Sequence, residues 1–425
     1  MIALTDFLKN SFTAYHVCKN IKTVLAENGF LQLHETDDWN LSENGKYYIV
    51  RDGSIIAFTI DSLDDFAYKI VASHSDSPAL KVKENAVKTG ELYTTLNTET
   101  YGGGIWYTFF DRPLKIAGRV VIKNDSILES KTVTSPLNVT IPSLAIHQNR
   151  NVNENFSIDK QIDLQPLCSL SKEGVTMDSL LETIAGENVI SHDLYLVNAD
   201  MPYTFGVNDE FLASPRIDNL TSVYASLQAF LSHEEKSGIC VMACLNNEEV
   251  GSLSFQGADG NLLEAALRRI SYAFHFDDNE YYKALSSSFL LSADNAHAVH
   301  PAHSEVSDPT NRTALGGGVV IKSHAGGAYI TDGMSSAIVK TILDNAEVPY
   351  QYFLNNSTLK SGSTLGFAVM RHLGIRGADI GIAQLAMHSA SECCAIADCE
   401  YMQKGMQAFF ESTLRTVNGG MIIER

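Results

Sequence analysis

Ile239-Cys240-Val241-Met242-Ala243-Cys244-Leu245-Asn246-Asn247-Glu248-Glu249-Val250-Gly251-Ser252 joins an unbroken apolar run to a pair of glutamates. The run has the length of a strand. Its continuity, in place of alternation, is the pattern of a strand covered on both faces, as in a largely parallel sheet. Unpaired charge beside such a strand is costly, so Glu248 and Glu249 need partners. An open α/β sheet builds its binding crevice at the carboxyl ends of its strands, which is where this pair stands.

Outward from this stretch the same texture continues. Upstream, Asp218 opens a segment with apolar residues at Leu220, Val223, Tyr224, Leu227, Phe230 and Leu231, one face of a helix. Strand-like runs occupy 55–60 and 67–72, the second ending at His74, and 350–354 reads as a further strand. Helix-like segments fall at 334–343 and 364–372, and residues 1–30 read as one amphipathic helix. Between about 84 and 208 the chain changes character. Short β-rich runs such as 116–123 and 193–198 alternate with glycine and proline, interrupted by one helix-like stretch at 177–184. The expected fold class is α/β: a catalytic domain from residues 1–83 and 209–425, with a mainly β insertion at 84–208.

Bulk properties exclude several functions. Fifty acidic residues against 31 basic ones give a net charge of −19, which repels phosphate backbones and argues against nucleic acid as a partner. No apolar run reaches the roughly 18 residues of a membrane span. The amino-terminal segment lacks the continuous apolar core of a signal peptide. The seven cysteines are scattered, with no CxxC pair, which fits a reducing compartment and predicts a cytoplasmic protein.

Five short motifs concentrate imidazole and carboxylate where strands or turns end. They are His74-Ser75-Asp76, Pro215-Arg216-Ile217-Asp218-Asn219, Asn247-Glu248-Glu249, Asp294-Asn295-Ala296-His297 and Met387-His388-Ser389. A lone HxD is a weak signal, and a lone Glu-Glu pair in an acidic chain is usually solvated surface. Together, two imidazoles and three carboxylates form a mixed nitrogen and oxygen set suited to Zn²⁺, with Co²⁺ and Mn²⁺ as alternatives. Two ions about 3.5–4 Å apart would need a bridging carboxylate. If the chain stays extended past the strand, Glu248 and Glu249 point to opposite sides, one toward metal and one toward water.

VASHSDSP (71–78), SPRIDN (214–219), NNEEVGS (246–252), SADNAHAVHP (292–301) and QLAMHS (384–389), in this order, resemble the aspartyl aminopeptidase family of dinuclear zinc peptidases. The similarity spans nearly the whole chain and includes LAIHQNRNVNENF (144–156) within the insertion. It implies a zinc-aminopeptidase-like α/β/α catalytic domain that removes the N-terminal residue of short peptides, with a preference for Asp or Glu. Two divalent ions per subunit would be held by His74, Asp218, Glu249, Asp294 and His388. Asp218 would bridge them, with His74 and Asp294 on one side and Glu249 and His388 on the other. Glu248 would be the general base for the attacking water, and Asp76 would orient His74. The β insertion would form dimers that build a tetrahedral dodecamer, bringing His147 to the neighbouring subunit's site to steady the substrate carbonyl.

Other residues invite chemical readings that the pattern does not favour. His297, His300 and His303 recur at intervals of three, but Pro301 prevents one helix from presenting them. Gly102-Gly103-Gly104 and Gly316-Gly317-Gly318 lack a nucleotide-loop context and read as turns or close approaches. Thr364 is a candidate cap for the helix that follows it. The chain also departs from its relatives. Gly327-Ala328 stand where they carry basic residues before the tyrosine, and Asn355–Gly362 replaces their usual loop, with Lys360 as a candidate substitute cation. Two alternatives stay open: another dinuclear peptidase or deacylase of the same clan, and an inactive oligomeric binding protein. Intact His74, Asp218, Glu248, Glu249, Asp294 and His388 weigh against the second.

Overall fold

The apolar run forms the strand Gly238–Leu245, and all of it is buried. Successive side chains of a strand face opposite ways. Here Cys240, Met242 and Cys244 enter one apolar core, while Ile239, Val241, Ala243 and Leu245 enter another. A computed structural model describes residues 3–424 apart from 65, 187, 235–237 and 418–419. In it this strand lies inside a nine-stranded sheet. Ser54–Ser62 runs antiparallel on one side and Tyr68–His74 parallel on the other. Phe289–Ala293 and then Arg376–Gly381 extend the parallel part.

Register sets the site. Leu245 lies opposite His74 and Ser292 opposite Ala72, so three neighbouring parallel strands end at one level. The helices Ala14–Glu27, Ile217–Ser232, Gly333–Asn345 and Ile396–Glu411 contribute to the core on one face. Leu262–Ala273, Asp278–Ser287 and Leu365–Leu373 contribute to the core on the other. The α/β/α layering expected from the sequence is present. No helix among the described residues is long and apolar enough to cross a membrane.

Three smaller sheets accompany it among the described residues, one of them the two-stranded pair Thr413–Val417 and Gly420–Glu424. A six-stranded antiparallel sheet takes all its strands from residues 79–198, in the order Ile127–Val139, Leu114–Asn124, Val189–Asn198, Ala79–Thr89, Tyr93–Tyr101 and Leu167–Leu170. The helix Met177–Ala185 packs on its core. A five-stranded sheet joins Tyr203–Phe205, Phe211–Ser214, Glu392–Ala395, Ala383–Leu385 and Ala296–His297.

Several local expectations need correction. The amino-terminal helix is two helices, Leu4–Asn10 and Ala14–Glu27, with Met1 and Ile2 outside the described residues. Arg216 Nε donates to the Ser11 carbonyl at 3.0 Å and the Asn20 amide donates to Ser11 Oγ at 3.1 Å, holding the break between them. Thr364 precedes Leu365–Leu373 without capping it, because its hydroxyl donates to Asp379 Oδ1 at 2.6 Å. Past Leu245 the chain does not stay extended. Asn247 takes a left-handed conformation, φ 62°, and Glu248–Val250 form one 3-10 turn closed by Gly251 at φ 93°. The two glutamates therefore diverge by turn geometry and not by strand alternation.

Gly381 marks where the chain leaves the large sheet for the small one. A Cβ there would lie 2.1 Å from the Asp294 carbonyl oxygen, a backbone atom with little room to yield. Gly381→Ala should destabilise the fold by about 1–3 kcal/mol, the usual cost of overpacking. Urea unfolding measures this, and a wild-type midpoint would contradict so close an approach.

Candidate metal centre

The large sheet and the five-stranded sheet each deliver part of one cluster. His74 ends its strand, Asp294 follows Ala293 at the end of another, and Glu248 and Glu249 sit in the turn after Leu245. Asp218 lies where the first turn of Ile217–Ser232 is interrupted, with φ −78° and ψ 111°, and its peptide bond to Asn219 is cis. His388 occupies the turn between the strands Ala383–Leu385 and Glu392–Ala395 of the small sheet.

Asp76 fixes the glutamate turn. Its Oδ1 accepts the Glu248 N–H at 3.1 Å and its Oδ2 accepts the Glu249 N–H at 3.2 Å. Tyr101, from the six-stranded sheet, donates its hydroxyl to Asp76 Oδ2 at 2.6 Å and accepts from the Asn247 amide at 2.8 Å. The expectation that Asp76 orients His74 acquires detail. The nearer acceptor for His74 Nδ1 is the Asp76 main-chain carbonyl at 3.0 Å, with the carboxylate Oδ1 at 3.5 Å.

Both imidazoles present the same nitrogen to the carboxylates. A carbonyl only accepts, so His74 Nδ1 must carry a proton toward Asp76, as must His388 Nδ1 toward the Gly103 carbonyl at 3.0 Å. Such bonds are the usual outer support of a ligating imidazole. His74 Nε2 then lies 3.3 Å from Asp218 Oδ1 and 3.8 Å from Asp294 Oδ1. His388 Nε2 lies 3.6 Å from Asp218 Oδ2 and 3.3 Å from Glu249 Oε1. The donor atoms of His74, Asp218 and Asp294 fall within 4.8 Å of one another, as do those of Asp218, Glu249 and His388 and those of His74, Glu248 and Glu249.

The donor set fits cations. Asp218 Oδ1 and Glu249 Oε1 are buried and accept no hydrogen bond from the described residues. Burial, with neighbouring carboxylates, pushes Glu248 up to about 8 and Glu249 well above the usual carboxylate range. Burial opposes charge on the imidazoles, yet the facing carboxylates of Asp218, Asp294 and Asp76 raise His74, and Asp218 and Glu249 help raise His388 to about 10. Burial also works against ionised Asp218, but the two imidazoles hold its carboxyl far below its ordinary range. These shifts mark places where added positive charge is favoured, as a divalent cation would supply it.

The six residues singled out around the crevice, His74, Asp218, Glu248, Glu249, Asp294 and His388, come together. His147 is exposed and stands outside the cluster among the described residues. Lys360 is likewise exposed. His297 sits in the small sheet, while His300 and His303 are exposed with rings 5.2 Å apart, so the three form no common box. Gly102, at φ 72°, passes so close that a Cβ would lie 3.1 Å from Glu249 Cβ.

Three contributors escaped sequence reading. Tyr101 carries no motif. Lys322 is buried, donates to the carbonyls of Asp294 and Asn295 at 3.0 and 2.9 Å, and lies 3.6 Å from Asp294 Oδ2. Glu392 is buried and accepts the main-chain N–H of both Asp218 and His388, at 2.9 and 2.6 Å. Its one signal was an acid opening the otherwise apolar run Glu392–Ala395. A separate grouping of Asp61, His233 and Cys240 lies toward the opposite end of Gly238–Leu245. There Asp61 sits 3.6 Å from His233 and also feels Lys69, so its charge is balanced by protein cations.

Comparison with known proteins identifies the family. The family model described as aminopeptidase I zinc metalloprotease (M18) matches residues 7–410. A probable M18 family aminopeptidase 2 of Clostridium novyi is 40% identical over 421 residues, covering 96% of this chain and 97% of that one. The Ape4 chain in a complex with Nbr1 superposes with a TM-score of 0.91 at 32% identity, covering 96% of this chain and 84% of that chain. The mature Ape1 dodecamer of S. cerevisiae gives 0.82 at 26% identity, covering 96% and 95%. A model match across nearly the whole length, with a relative at 40% identity, makes the chain a member of the M18 family and a zinc metallo-aminopeptidase.

Proposed function

We propose that the centre holds two divalent cations, Zn²⁺ first among them, and that the protein releases N-terminal residues from short peptides, with Asp and Glu preferred. One observation carries the dinuclear reading. Asp218 turns one carboxylate oxygen to each imidazole, Oδ1 to His74 at 3.3 Å and Oδ2 to His388 at 3.6 Å, which is how a bridging ligand would be disposed. His74 and Asp294 would complete one set, Glu249 and His388 the other. Bound there, a pair of cations would supply a water of lowered pKa and polarise the scissile carbonyl.

The chain's own groups do the rest. Glu248, held by the Asp76 carboxylate through its main-chain N–H, takes the proton of the attacking water and passes it to the leaving amine nitrogen. Asp76 keeps the glutamate turn and His74 in register. Lys322 has two N–H groups on carbonyls, and its third faces Asp294 Oδ2 at 3.6 Å, too far for a full hydrogen bond. That donor is the cation we assign to an acidic substrate side chain, in place of the basic residues lacking at 327 and 328. His147 would act across a subunit boundary, with residues 84–208 as the dimerisation domain of a dodecamer like that described for the yeast relative. Leu144 and Ile146, exposed at 67% and 49%, flank it and suit such a contact.

Glu248→Ala should keep two ions per chain while kcat falls about 10²–10⁴-fold, the usual worth of a general base. Asp218→Ala should lose both ions. Metal analysis beside steady-state kinetics tests the pair, and metal loss with unchanged turnover per ion would refute the base assignment.

Loading should be linked to pH. Imidazole protons must leave before Nε2 can bind, and His388 in the ion-free protein is raised to about 10. Zinc affinity should therefore fall as pH drops, and loading at pH 7 should release protons. Calorimetry in buffers of different ionisation enthalpy reads that release, and a buffer-independent heat would contradict it. A panel of aminoacyl chromogenic substrates tests specificity. Faster turnover of neutral than of acidic residues would remove the role given to Lys322 and leave the aminopeptidase reading intact.

A further inference from the structure

Glu392 belongs to none of the five motifs, yet its carboxylate touches the main chain beneath two of the proposed ligands. It opens the strand Glu392–Ala395, paired in register with Ser214 of Phe211–Ser214, and is 2% exposed. Oε2 accepts the Asp218 N–H at 2.9 Å and Oε1 accepts the His388 N–H at 2.6 Å. Neither amide has a partner in regular structure. Asp218 interrupts its helix with non-helical angles, and His388 takes φ 66° in its turn.

We infer that Glu392 is a positioning residue that sets the backbone under Asp218 and His388 together and thereby fixes the affinity of the centre for its ions. The inference rests on the reading of the cluster as a metal centre. Asp218 faces both imidazoles, so a shift of its backbone displaces an oxygen on each side of the cluster. Glu392 holds that backbone and the His388 backbone with one rigid planar group. The chemistry calls for a carboxylate. Both oxygens accept from N–H donors, and a carboxamide would turn an N–H₂ donor against one of them. Loss of that bond leaves a buried donor unpaired, which costs more than the bond itself contributes. Partners behind ligands typically change metal affinity or activity 10–100-fold.

The test uses the full-length protein with Zn²⁺ as probe, comparing wild type, Glu392→Gln and Glu392→Asp. Three quantities are read: zinc retention against a competing chelator, the thermal midpoint of the metal-free form, and kcat and KM separately. The expected result for Glu392→Gln is zinc affinity weakened about 10–100-fold. KM should stay within about twofold, kcat should recover at saturating zinc, and the metal-free midpoint should stay near that of wild type. Glu392→Asp keeps two acceptors on a shorter arm and should retain zinc better than the glutamine variant. If Glu392→Gln does not fold, the aspartate variant decides by the same readouts, with zinc affinity below wild type expected. Wild-type zinc affinity in the variants would overturn the proposal. So would a metal-free midpoint lowered as far as that of the loaded form, since that marks a general role in packing. Wild-type protein that retains no zinc would instead fail the metal-centre reading itself.

Discussion

A buried cluster of carboxylates cannot stand on its own charge, and the arrangement around the crevice follows from that constraint. Asp218, Asp294, Glu248, Glu249 and Asp76 converge where water is largely excluded, and carboxylate repulsion at such a site is strong. Only positive charge relieves it. Lys322 supplies some beside Asp294, and the two imidazoles supply more while they hold protons. Both rings have Nδ1 committed to a main-chain carbonyl, so Nε2 is the nitrogen left facing the acids. The orphaned oxygens of Asp218 and Glu249 mark charge that protein donors leave uncompensated.

Assembling such a cluster takes three sheets. The parallel strands of the large sheet end at one level and deliver His74, Asp294 and the glutamate turn. The small sheet delivers Asp218 and His388 and ties their backbones through Glu392. From the six-stranded sheet come the Tyr101 hydroxyl on Asp76 and the Gly102-Gly103 bend, whose second carbonyl anchors His388. Residues 79–198 therefore do more than extend the surface, because the orientation of one imidazole and the glutamate turn both depend on them.

What the sequence disclosed follows the range of the interactions concerned. Residues 239–245 betrayed a doubly covered strand because burial on both faces requires apolar side chains at every position. The residues of the cluster were legible because they sit at strand ends, where charge after an apolar run stands out. Glu392 and Lys322 hid for the opposite reason: each is one charged residue whose meaning lies in distant backbone atoms. The amino-terminal break was invisible for the same cause, since Arg216, far along the chain, holds Ser11 out of the helix. Strand alternation failed past Leu245 because a left-handed Asn247 replaces extension with a turn. The side chains that gather in the cluster were readable, and the main-chain supports that aim them were not.

The same electrostatics bears on how the proposed centre would take up its ions. Metal sites need deprotonated ligands, and a chain must fold before it can gather ligands so distant in sequence. The raised affinity of His74, His388 and the two glutamates for protons shows how strongly the cluster favours added positive charge. On the proposed reading, a cation would exchange for protons there, and the backbone supports at Asp76, Gly103 and Glu392 would keep their places. Those supports bind main-chain atoms or Nδ1, none of which titrates in the exchange. A centre aimed through its backbone can trade its charges while keeping its geometry.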